Sequence, residues 1–83
     1  MSDSLSKLAA KLAEDVLEIQ KATGEDRLFI ELGHIVGAAS QTLEEAFLTE
    51  CRIRLAEQGA RKFLDDKIAE LAAKAEAQAK SEG

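Results

Sequence analysis

Leu5, Leu8, Leu12, Val16 and Ile19 follow one another at steps of three, four, four and three, the spacing that gathers side chains onto one face of an α-helix. A chain that opens this way must bury that face against another element of its own or of a partner, and this requirement constrains the fold more than any other feature. The spacing predicts a helix over about 4–22, with Asp3 or Ser4 as N-cap and Lys21 in the last turn. Gly24 offers the left-handed conformation that ends helices. Thr23-Gly-Glu-Asp26 reads as a turn over 23–26, in which Thr23 caps the next helix and Glu25 and Asp26 sit at its positive end. So short a connection predicts an antiparallel helical hairpin.

A second stripe runs through Leu28, Leu32, Val36, Ala39, Leu43 and Phe47, then drifts to Cys51 and Leu55, with Phe29, Ile35, Ala46 and Leu48 widening it. It predicts a long second helix over about 27–58. One local signal competes with continuity: Thr42-x-x-Glu45 is a capping box that would start a fresh helix at Leu43. The apolar spacing nevertheless passes through undisturbed. At Gly59 the phase does change, from Leu48, Cys51 and Leu55 to Ala60, Leu64, Ile68, Leu71 and Ala75, so a kink or break is expected near Gly59 with a further helix over about 60–78. Beyond Leu71 no large side chain remains, and the C-terminal tail is expected to fray.

Composition agrees with an all-α class and a single domain over 1–83. The chain has no Pro, no Trp and no Tyr, and only three Phe, so helix propensity is high and hairpin-turn chemistry nearly absent. Cys51 is the sole cysteine, which excludes an internal disulfide and any cysteine cluster for metal, and fits a reducing compartment. The start Met1-Ser-Asp-Ser4 lacks a signal-peptide pattern and no apolar run reaches membrane-spanning length. A cytoplasmic protein without a transmembrane segment is expected. A net charge of −5 disfavours a generic nucleic-acid binder, because phosphate binding needs a concentrated basic footprint.

Helix length then decides what is left over. At about 1.5 Å per residue the first helix covers only the first half of the second, which leaves the stripes between Phe47 and Leu71 without an intramolecular partner. Phe47, Leu48, Cys51, Leu55, Phe63, Leu64, Ile68 and Leu71 are therefore the expected interface of an oligomeric helical bundle, most simply a dimer.

Few residues carry chemistry. Glu31-x-x-His34 places a carboxylate and an imidazole one helical turn apart, as in di-iron four-helix bundles, and Glu18 would lie roughly opposite on the first helix. Their angular positions put Glu31, His34 and Glu18 off the apolar stripes, whereas a bundle-core metal site needs inward ligands. They are better read as a solvated face, and no cofactor is expected. Gly33-x-x-x-Gly37 permits close helix approach, as core packing or as a groove for a partner helix. Arg52, Arg54, Arg61, Lys62 and Lys67 stand against Glu50, Glu57, Asp65 and Asp66, a near-balanced set that suits interhelical ion pairs at an oligomer interface better than a phosphate track. Cys51 on an apolar drift reads as a small buried hydrophobe. With no nucleophile-and-base arrangement or phosphate loop, the expectation is a non-enzymatic interaction module: a small acidic adaptor, inhibitor or regulatory subunit that presents helix faces to a macromolecular partner. A metal-binding bundle built on Glu31 and His34, or a nucleic-acid-associated regulator using the basic 52–67 segment, are the competing readings.

Overall fold

A computed structural model of the chain describes residues 2–82. The described residues form three helices and no strand: α1 (Ser2–Thr23), α2 (Leu28–Ala39) and α3 (Gln41–Glu82). Each helix packs against the other two. Leu12, Val16 and Ile19 of α1 and Leu28, Leu32 and Ile35 of α2 line one common groove. α3 packs against both, with Gly33 against Leu48 and Lys21 beside Gln58 and Arg61. These segments make a small three-helix head.

α1 ends as expected. Gly24 has φ 78 and its amide donates to the Gln20 carbonyl at 2.8 Å, the glycine-terminated helix end that a Cβ would strain. Its start differs, since Asp3 and Ser4 already lie inside the helix. Thr23 does not cap α2 either. Its hydroxyl donates back to the Ile19 carbonyl at 2.7 Å, and Arg27 occupies the N-cap position without a side-chain cap bond. The donor a cap would satisfy is met from the neighbouring helix: the Phe29 amide donates to Gln20 Oε1 at 2.7 Å.

The second helix is short, not long. α2 stops at Ala39, and one residue, Ser40, separates it from α3. Ser40 takes an extended backbone conformation. Its amide closes α2 on the Val36 carbonyl at 2.8 Å, while its hydroxyl accepts the Leu43 amide at 3.1 Å as the N-cap of α3. The cap thus falls two residues before the Thr42 box. Of the kink or break expected near Gly59 the break is absent, because α3 is helical without interruption from Gln41 to Glu82, reaching past the expected end near 78. Its Ala, Glu, Lys and Gln residues are good helix formers, and a single exposed glycine weakens a helix by about 1 kcal/mol without ending it.

The break at Ser40 folds α3 back over α1. Phe47 and Cys51 are wholly buried against Ala9, Ala13, Val16 and Leu17, with Leu48 and Leu55 half-buried beside them. These four α3 residues, expected at an interface between copies, belong to the core of a single chain. α2 and α3 approach closely at buried Gly33, where a Cβ would lie 3.0 Å from Leu48 Cδ2, so the small-residue spacing serves internal packing at that position. Beyond the head, α3 projects alone, and every residue from Ala56 to Ser81 is exposed. The molecule measures 66 × 30 × 13 Å.

Candidate functional site

Two uncovered apolar surfaces stand out, and the phase of each helix explains both. On α1 the buried residues are Ala9, Ala13, Val16 and Leu17; Val16 belongs to the Leu5–Ile19 stripe as well, and the other three are centred about 100° round the helix from the middle of that stripe at 100° per residue. The small alanines let α3 come close. The larger side chains of the stripe are left beside α2, where they open a groove of ≈ 270 Å³. It is lined by Leu12, Val16, Leu28 and Leu32, together with Ile19, 51% exposed, and Ile35, 69% exposed. Asp15 and Glu31 stand at its rims, both exposed. Leu8, 60% exposed, lies one turn before Leu12 on the same stripe.

The second surface is the distal half of α3. Phe63, Leu64, Ile68 and Leu71 are 48 to 63% exposed, and Leu64, Ile68, Leu71 and Ala75 form a row about 130° round the helix from the face that Phe47, Cys51 and Leu55 press onto α1. The phase change at Gly59 therefore marks a switch of face on one continuous helix. Ile53, 56% exposed, sits at the head end of the same row. Of the eight interface residues read from the sequence, the structure leaves Phe63, Leu64, Ile68 and Leu71 uncovered. The groove residues Leu8, Leu12, Ile19 and Ile35 were not among the eight, because their stripe was assigned to the interior of a hairpin. The signal that separates the two faces of α1 is the alanine pair Ala9 and Ala13, which marks where another helix can approach.

The candidate metal ligands are not brought together. Glu31 stands at the α1/α2 groove, Glu18 lines a polar cleft between α1 and α3, and His34 is exposed. Among the described residues no group of three His, Cys, Asp or Glu side chains is placed to hold a metal ion. Four of the five basic residues of 52–67 are engaged along their own helix: Arg54 with Glu50 at 3.4 Å, Arg61 with Glu57 at 3.3 Å, Lys62 with Asp66 at 3.0 Å and Lys67 with Glu70 at 2.9 Å. Ion pairs expected between helices of two copies are thus formed within one helix, with three of the four at mostly exposed side chains where such pairs contribute little. On α1, Lys11 pairs with Asp15 at 3.1 Å, and that hydrogen bond, ahead of the charge itself, raises its pKa.

Cys51 is buried. Burial pushes its thiol up to about 11, opposed by the nearby Arg54 charge, so it lacks the thiolate character that nucleophilic or redox chemistry needs. No helix is long and apolar enough to cross a membrane among the described residues. Comparison of the chain with protein-family models, with curated proteins and with solved structures finds no match.

Proposed function

We propose that this chain is a non-enzymatic interaction module, a small acidic cytoplasmic subunit that self-associates and presents helix faces to a macromolecular partner as an adaptor, inhibitor or regulatory subunit. The observation that carries this reading is the exposed row Leu64, Ile68 and Leu71 on a helix that extends beyond its own bundle. Three large apolar side chains held in register on a solitary rod have no role in the chain's own core. Burying each would stabilise a complex by about 1 to 2 kcal/mol, allowing for the part already covered.

Light scattering on a sizing column tests the reading. Wild-type protein is expected to run at a multiple of 9.0 kDa, and Ile68→Glu/Leu71→Glu at the mass of one chain with its helix content intact. A wild type that stays a single chain at high concentration would sink the self-association.

A further inference from the structure

The α1/α2 groove and the distal row of α3 complement each other. We infer that the groove receives the distal half of α3 from a second copy of this chain. The inference rests on the self-association proposed above and names the surfaces that meet. Four observations support it. The apolar stripe of α1 from Leu8 to Ile19, of which Leu12 to Ile19 line the groove, and the row from Leu64 to Ala75 each advance eleven residues along a helix, so their lengths agree at about 17 Å.

Charge matches as well. Asp15 and Glu31 make the groove rims acidic. At 100° per residue Arg61, Lys67 and Lys74 lie about 50°, 70° and 90° from the centre of the row, against Asp65 at about 90° and Glu70 at about 130°, so the nearer flanks are basic. A basic-edged row thus meets acid rims. The pairs that Lys67 makes with Glu70 and Asp15 makes with Lys11 are exposed, and such pairs exchange partners at little cost.

The row cannot reach the groove of its own chain. α3 is unbroken and carries the row past the end of α1, away from Leu12 and Ile35. A second copy supplies the same row without that constraint. Area also favours the groove over a pairing of two rows. At roughly 60 to 120 Å² per aliphatic side chain, two half-exposed rows alone cover a few hundred Å², short of the roughly 1,000 Å² that a specific interface clears. A row seated between two helices is contacted on both of its sides.

Two full-length variants test the match, each altering exposed side chains only: Asp15→Lys/Glu31→Lys in the groove and Lys67→Glu/Lys74→Glu on the row. Each alone is expected to self-associate at least about tenfold more weakly than wild type, with circular dichroism unchanged. Their equimolar mixture should recover the wild-type mass, because the lysine-rimmed groove accepts the glutamate-edged row. Ile35→Glu, at an exposed side chain lining the groove, should weaken association to a similar degree. If both groove variants associate like wild type while Ile68→Glu/Leu71→Glu dissociates, rows pair with rows: self-association stands and the groove assignment falls. Failure of the mixture to recover also overturns the assignment. A wild type that is a single chain removes both.

Discussion

Phe47 and Cys51 are the largest completely buried side chains among the described residues, so individual residues weigh heavily in the head's stability. Replacing Phe47 with Ala removes the centre of a core otherwise built from alanines, Val16 and Leu17, and is expected to cost about 3 to 5 kcal/mol. For a head of this size that approaches the whole folding free energy, so urea denaturation of Phe47→Ala should begin without added denaturant. Cys51 makes stability depend on alkaline pH. Its thiol is held up to about 11 from 9.0. Above about pH 9 the unfolded chain releases a proton that the folded chain retains. The contribution is therefore fully present below pH 9 and lost as pH rises towards 11, by about 2 to 3 kcal/mol. Urea midpoints at about pH 8 and about pH 11 check this: Cys51→Ala should lose less stability between them than wild type.

At the scale of the helices, two glycines and one serine separate what packs from what merely continues. Gly59 meets nothing within 4 Å of a built Cβ, so Gly59→Ala is expected to stabilise α3 by up to about 1 kcal/mol. Gly33→Ala sets the same helix gain against Leu48, whose Cδ2 must give way at 3.0 Å, and should stabilise less than Gly59→Ala. Ser40→Ala removes the cap bond to the Leu43 amide and should cost about 1 kcal/mol. Thermal denaturation of the three variants reads all three effects. These positions also show where sequence reasoning reached and stopped. The end of α1 at Gly24 was legible because left-handed backbone is a local property of glycine. The Ser40 break was not, because the apolar spacing continues across it and the gain that favours breaking is remote: Phe47 and Cys51 landing on Ala9 and Ala13. The phase change at Gly59 was visible, but periodicity alone does not distinguish a break from one continuous helix whose apolar face turns to a new partner. For the same reason the exposed distal row was foreseen and the groove was not.

Over the whole molecule, the radius of gyration of 19.1 Å far exceeds the about 12 Å of a compact chain of this length. Small-angle scattering of Ile68→Glu/Leu71→Glu, which keeps single chains apart, should return a value near 19.1 Å; a value near 12 Å would mean that the distal helix folds back onto the head. The net charge of −5 makes copies of such an elongated particle repel one another at long range while its apolar row is uncovered. The single-residue connection at Ser40 also sets an order in time. Every residue that closes the head precedes Phe63, so a chain emerging N-terminus first from the ribosome can shut its core over Phe47 and Cys51 before the distal row has emerged. The exposed apolar row reaches solvent only when the interior it could otherwise invade is already sealed.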